Sequence, residues 1–173
     1  MDLNKYTQKA QEAVLAARNI AAEYNQTQIE PEHLLLALLQ QADGVVPQLV
    51  EKLGVQPRAL IGDLERALRG RSQVYGSNAQ LSLSRALSDV TTQAEREAGA
   101  MHDEFVSTEH LLVGLAEVQG TEAHRMLAAH GITKDAILRV LAQVRGSQRV
   151  TSQNPEGTYQ ALEKYGRDLT QLA

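Results

Sequence analysis

The 173-residue chain repeats itself. The stretch Ile29-Glu30-Pro31-Glu32-His33-Leu34-Leu35-Leu36-Ala37-Leu38 returns 77 residues later as Val106-Ser107-Thr108-Glu109-His110-Leu111-Leu112-Val113-Gly114-Leu115. The same interval pairs Thr7 with Ser84, Ala17 with Ala94, Ala21 with Ala98, Gly54 with Gly131, Leu60 with Ile137 and Leu64 with Leu141, with no gap. A duplicated unit constrains the fold more than any local motif, because whatever one copy forms the other must form too. Two copies are too few for a solenoid, which needs several repeats to cover its open ends. A closed pair of lobes related by an approximate two-fold is expected instead.

Each copy reads as four helices. In the first, Thr7 is a good N-cap, and Ala10, Ala13, Val14, Ala17, Ala21 and Tyr24 form one helical stripe behind it. Pro31 stands at the first position of a second helix that carries Leu34, Leu35, Leu38 and Leu39. Proline there costs nothing, since the N–H it lacks would have no intrahelical partner. Pro47 opens a third helix that Gly54 stops, and Pro57 opens a fourth that Gly70 stops. The second copy marks the same boundaries with Ser84, Ser107, Thr121 and Thr133 as starts and with Gly131 and Gly146 as stops. The fold class is therefore all-α, two pseudo-symmetric four-helix repeats, about eight helices, with repeat one over 7–70 and repeat two over 84–146. Residues 1–146 form one domain. The polar stretches 71–80 and 147–157 read as linkers, the latter as a flexible one, and 158–173 returns to helical character with Tyr159, Leu162, Tyr165 and Leu169.

Composition narrows the function. There is no cysteine, so there is neither a disulfide framework nor a thiolate zinc site. A net charge of −4 without a basic block gives no reason to bind nucleic acid or an anionic membrane. No stretch approaches about 18 uncharged apolar residues and the N-terminus lacks a signal-peptide run, so a soluble cytosolic chain is expected. No Gly-Lys-Ser/Thr phosphate loop and no Gly-x-Ser-x-Gly elbow occurs, and no nucleophile, base and orienting group stand together, so the chain is not expected to be an enzyme. The five histidines match no zinc-hydrolase spacing, and His33 and His110 read as helix-start hydrogen-bonding groups rather than metal ligands. Glu32 and Glu109, one in each copy, gain from the helix dipole in a first turn. With the hydroxyls Thr7 and Ser84, and with Asp103 before Phe105, they can alternatively form two related polar sites that capture backbone amides or cationic side chains of a peptide.

These segments resemble a known family. Thr7-Gln8-Lys9-Ala10, the two repeated stretches, Val144-Arg145-Gly146-Ser147 and Tyr159-Gln160-Ala161-Leu162-Glu163-Lys164-Tyr165-Gly166-Arg167-Asp168-Leu169-Thr170 are similar to the start of ClpB-type AAA+ disaggregases. The duplicated part is similar to the Clp N-terminal domain, and 158–173 to the segment leading into the first ATPase ring. The tail favours the ClpB type over ClpA and ClpC, which share the repeat. The resemblance implies a substrate-binding front domain of a hexameric, ATP- and magnesium-dependent unfoldase. Such an unfoldase engages unfolded or aggregated polypeptides and works with the DnaK system through other domains; this chain itself needs no cofactor. It also implies substrate-handling roles for Thr7, Asp103 and Glu109, and a ligand role for Glu32 with Glu109. Ser84 is the counterpart of Thr7, and His110 stands where some members carry an apolar groove residue. A groove between two lobes, bordered by these residues at solvent-reaching positions, is the expectation. The alternative is a dock for one folded adaptor, as in protease-linked Clp proteins; breadth of binding separates the two.

Overall fold

The computed structural model describes residues 1–75, 80–146, 150–153 and 155. The expected tail segment 158–173, and part of each expected linker, lie outside the described residues. Eight α-helices are present among those described: α1 Gln8–Glu23, α2 Pro31–Gln40, α3 Val45–Lys52, α4 Pro57–Arg69, α5 Arg85–Ala100, α6 Thr108–Glu117, α7 Glu122–Ala129 and α8 Lys134–Arg145. Shifted by 77 residues, α1, α2 and α3 coincide end to end with α5, α6 and α7, and α4 runs one residue longer than α8. The all-α duplicated architecture read from the sequence is the one observed.

The caps explain most boundaries. Thr7 Oγ1 accepts from the Ala10 N–H at 3.2 Å and Ser84 Oγ from the Leu87 N–H at 3.0 Å. Thr121 and Thr133 do the same for α7 and α8. One start differs from expectation. Helix α3 begins at Val45 behind Gly44, which places Pro47 at the third helical position rather than the first. That position is equally permissive, because the first four N–H groups of a helix all lack intrahelical partners. Gly54 and Gly131 end their helices with φ of 83° and 72°, the left-handed conformation glycine tolerates best.

Helices α2 and α6 form the centre. Pro31 to Leu39 and Thr108 to Ala116 are buried without interruption, so both helices are enclosed on every side. They pack on each other, on their own copy's first helix, and reciprocally across the two-fold, α2 on α7 and α6 on α3. Both copies contribute to a single core cluster.

Two short parallel pairings tie the copies together. Strand β1, Gln28–Ile29, runs beside β2, Ser82–Leu83, with Ile29 opposite Leu83. Tyr6 forms the equivalent bridge with Val106. These are the same contact seen from each side of the two-fold, since Tyr6 and Leu83 are 77 residues apart, as are Ile29 and Val106. The backbone repeats the pattern: the Thr7 N–H donates to the Val106 carbonyl at 2.9 Å, and the Ser84 N–H to the Ile29 carbonyl at 3.0 Å. Each copy's first helix is thus launched from the loop of the other copy.

Candidate functional site

The crossed pairing decides which sequence-predicted residues meet. It sets Thr7 beside Val106, just before α6 with its Glu109 and His110, and Ser84 beside Ile29, just before α2 with its Glu32 and His33. Two polar clusters result, one at the start of each central helix.

In the cluster at α6, Ser107 is the N-cap and His110 is the third helical residue. The Ser107 N–H donates to His110 Nδ1 at 2.9 Å, which leaves the ring proton on Nε2, where it is donated to Asp103 Oδ2 at 2.8 Å. Arg145, from the end of α8, donates to the same Oδ2 at 2.7 Å and lies 3.5 Å from Glu109 Oε1. Asp103 Oδ1 accepts the Val150 N–H at 2.7 Å, and Ser107 Oγ donates to Glu109 Oε1. The side chains of Asp103, Glu109 and His110 are wholly buried, and that of Arg145 nearly so.

Burial and charge set the protonation states. Burial would raise the Asp103 carboxyl, but the hydrogen bonds from His110 and the Val150 N–H, with the charge of Arg145, hold it below the ordinary carboxylate range. Burial pushes His110 down, with Arg145 adding to it and Asp103 opposing it, so the ring is neutral at pH 7. Asp103, Glu109 and Arg145 share a buried site around a neutral imidazole.

The first copy holds its histidine with a neutral side chain in place of Asp103. The Glu30 N–H donates to His33 Nδ1 at 2.8 Å, as Ser107 does to His110. Gln26 occupies the position of Asp103, accepting from His33 Nε2 at 2.5 Å and donating through Nε2 to the Leu68 carbonyl at 2.8 Å. Leu68 in turn corresponds to Arg145. Burial, with the charge of Arg71, pushes the His33 ring down to about 4. Glu32 reaches across the two-fold, where its Oε2 accepts the Ala123 N–H at 2.9 Å at the start of α7, while Oε1 pairs with Arg71. A carboxylate at that end of a helix also meets the positive pole of its dipole.

These placements correct one expectation. The six candidates, Thr7, Glu32, Ser84, Asp103, Glu109 and His110, are expected to reach solvent, yet all of their side chains are buried. The cause is the enclosure of α2 and α6: a first-turn glutamate is normally exposed, but here the first turn itself is inside. The reading of His33 and His110 as helix-start hydrogen-bonding groups fits their Nδ1 contacts. Ser107, Arg145, Arg71 and Gln26 are the residues sequence reasoning missed. Arg145 had a signal, a cation at the register position of the apolar Leu68.

Ser107, His110 and Asp103 lie in line, as a nucleophile, base and orienter would, with Ser107 Oγ 3.0 Å from His110 Nδ1. The chemistry does not follow. That Nδ1 already accepts a backbone N–H, the hydroxyl proton goes to Glu109, and Ser107 is wholly buried, so no substrate carbonyl can approach. The clusters fix helix starts. Among the described residues, no group of three or more His, Cys, Asp or Glu side chains is placed to hold a metal ion, and no helix is long and apolar enough to cross a membrane.

The chain matches the family model of the Clp repeat (R) N-terminal domain over residues 5–130. It is 41% identical over 172 residues to the chaperone protein ClpB of Bacillus cereus and 42% identical over 177 residues to that of Nitratidesulfovibrio vulgaris. These alignments cover 98% and 100% of this chain, which spans about a fifth of the length of those relatives, 20% of each. Among solved structures, the Hsp104 N-terminal domain from Candida albicans superposes with a TM-score of 0.77 at 22% identity, covering 88% of this chain and 99% of that one. The ClpV N-domain in complex with a VipB peptide superposes at 0.68 and 15% identity, covering 81% and 86%. These likenesses establish the fold.

Proposed function

Because the chain belongs to the Clp repeat (R) N-terminal domain family, we propose that it is the substrate-capturing front domain of a ClpB-type unfoldase. It binds exposed segments of unfolded or aggregated polypeptide and delivers them to an ATPase ring. The observation that carries this reading is the identity of 41% to ClpB chaperones across nearly the whole chain. The peptide-bound ClpV N-domain supports a polypeptide as the ligand class for this fold. The same reading assigns ATP and magnesium to the ring, a homohexamer and cooperation with DnaK to the full-length protein, and the cytosol as location. Weak single-site binding suffices in it, because several copies around one pore raise the effective concentration.

Within this proposal Thr7, Glu32, Ser84, Asp103, Glu109 and His110 are positioning residues. A peptide cannot reach their buried side chains, so their part in substrate handling is to fix where α1, α5, α6 and α7 begin. Contact falls to exposed apolar side chains, of which Leu15 is 53% and Tyr75 73% exposed. Both can be changed at little cost to the core.

The test is a fluorescence polarisation titration of the chain against several unrelated unfolded proteins, unfolded casein among them. Binding to all, weakened at least threefold by Leu15→Ser with Tyr75→Ser, is expected. Binding to none of them would overturn the proposal. Failure with unfolded chains alongside tight capture of one folded partner would identify an adaptor dock instead.

A further inference from the structure

Asp103 has a partner that a helix-start cluster does not need. Its Oδ1 accepts the N–H of Val150, beyond the end of α8, and Val150 is wholly buried. The Val150 carbonyl accepts the Glu104 N–H at 2.7 Å, so this residue is held on both sides by the loop that carries Asp103. Three residues on, the Gln153 carbonyl accepts the Gln8 N–H at 2.8 Å and the Gln153 side chain donates to the Asn4 carbonyl. Gln8 is the first residue of α1, so its N–H is one of the four donors the helix cannot satisfy internally. Where the sequence predicts a flexible linker over 147–157, Val150 and Gln153 are therefore strapped across the domain.

The first copy shows what is special. There, among the described residues, the chain leaving α4 is tied by the Val74 N–H to the Asn25 carbonyl at 2.7 Å and by Arg71 to Glu32. Gln26, in the place of Asp103, is occupied by His33 and Leu68. The second copy has in its place an ionised carboxylate with an oxygen available to the departing strand, and Arg145 beside it keeps that carboxylate charged. Hydrogen bonds to an ionised acceptor are roughly twice as strong as neutral ones.

We propose that Asp103 is the catch of a latch holding Val150–Gln153 against the domain, and that releasing it lengthens the tether to the segment beyond. With the strap in place Val150 and Gln153 are fixed to the domain; with it released this stretch joins the tether. The four residues Val150–Gln153, at about 3.4 Å each when extended, add roughly 14 Å of reach. Tether length sets effective concentration, so the latch is a switch between a short and a long leash. That last meaning rests on the proposed function, whereas the latch does not.

Two variants test it by amide hydrogen exchange. Asp103→Asn keeps the shape but has one acceptor oxygen for the donors that Asp103 serves with two. Val150→Pro deletes the N–H that the catch holds and leaves the side chains of His110, Arg145 and Glu109 in place. In the unchanged chain the Val150, Glu104 and Gln8 amides should exchange at least tenfold more slowly than an open chain. Both variants should speed Glu104 and Gln8 at least tenfold while amides inside α2 and α6 stay protected in Val150→Pro. The chain has no native cysteine, so labels at S88C and Q160C should also report a longer mean distance in both variants. Open-chain exchange at Val150 in the unchanged protein would overturn the latch. So would Val150→Pro leaving Gln8 protected and the distance unaltered. Neither result touches polypeptide binding, so loss of the latch and loss of the proposed function are distinguishable.

Discussion

Replacing Gly114 by alanine should destabilise the domain even though it improves a helix. Gly114 lies inside α6, where exchanging glycine for alanine normally gains about 1 kcal/mol from backbone entropy. Here the added Cβ would sit 2.6 Å from the Val90 carbonyl oxygen, 3.3 Å from Val90 Cγ1 and 3.4 Å from the Ala94 nitrogen. The nearest atom is backbone, and it belongs to the turn of α5 that Val90 and Ala94 close, so it cannot swing aside as a side chain would. Helices α5 and α6 must separate by several tenths of an ångström, at an overpacking cost of about 1–3 kcal/mol. The upper half of that range applies, because both helices are packed on their other sides, leaving a net loss of about 1–2 kcal/mol. Urea denaturation should show a lower midpoint at constant slope, with a fall in Tm of roughly 2–8 °C. Gly62→Ala is the control, since nothing lies within 4 Å of its added Cβ, and it should gain up to about 1 kcal/mol. Equal stabilisation by both substitutions would refute the close approach of α5 and α6.

Two further outcomes concern the buried polar groups. His33, faced by Glu30 and Gln26 and influenced by Arg71 and Glu32, titrates near 4 folded against 6.5 unfolded. The unfolded chain thus takes up the proton first, and stability held above pH 6.5 falls through pH 4 by about 3 kcal/mol. Stability curves at successive pH values would show that slope, His33→Gln should flatten it, and an imidazole titrating near neutrality by NMR would contradict it. Arg145→Leu, which installs the first copy's residue, should cost about 3–5 kcal/mol because Asp103 and Glu109 lose their buried cation. Adding Asp103→Gln should recover about 1–3 kcal/mol of it, a coupling that a double-mutant cycle by denaturation would read. Strict additivity of the two changes would show that Arg145 and Asp103 act independently.

The helices are legible in the sequence because duplication supplies two independent sets of stop and start signals for each. Proline marks a boundary in copy one where a hydroxyl marks it in copy two, and agreement between them is stronger than either. The paired strands are not legible. Ile29 beside Leu83 and Tyr6 beside Val106 are two-residue contacts, too short to carry an alternating pattern, and they arise from how the copies dock. The site is half legible. Its repeated residue types, Thr7 with Ser84, Glu32 with Glu109 and His33 with His110, are visible in the repeat, but their burial is the reverse of the expectation. The stripe of Leu34, Leu35, Leu38 and Leu39 in α2 leaves out Leu36 and Ala37, which fill the remaining faces. An apolar residue on every face means a helix enclosed on all sides, and a carboxylate and an imidazole in its first turn must then be inside as well.

That enclosure gives the polar residues a different task from the one their positions first suggest. A buried carboxylate is stable only beside a fixed donor set, so each of Glu32 and Asp103 requires its partners to stay where they are. For Glu32 the partners are Arg71 and the start of α7, which ties the loop after the first copy to a helix of the second. For Asp103 they are His110, Arg145 and Val150, which tie the start of α6, the end of α8 and the departing chain to one atom pair. The duplication therefore stops being symmetric at the point where the chain leaves the domain. A neutral Gln26 suffices where the first copy passes into the second, and a charged catch replaces it where the chain runs on past the second copy. The divergence of the two copies at Gln26 and Asp103 is what a tether-holding role would produce and a purely structural capping role would not require.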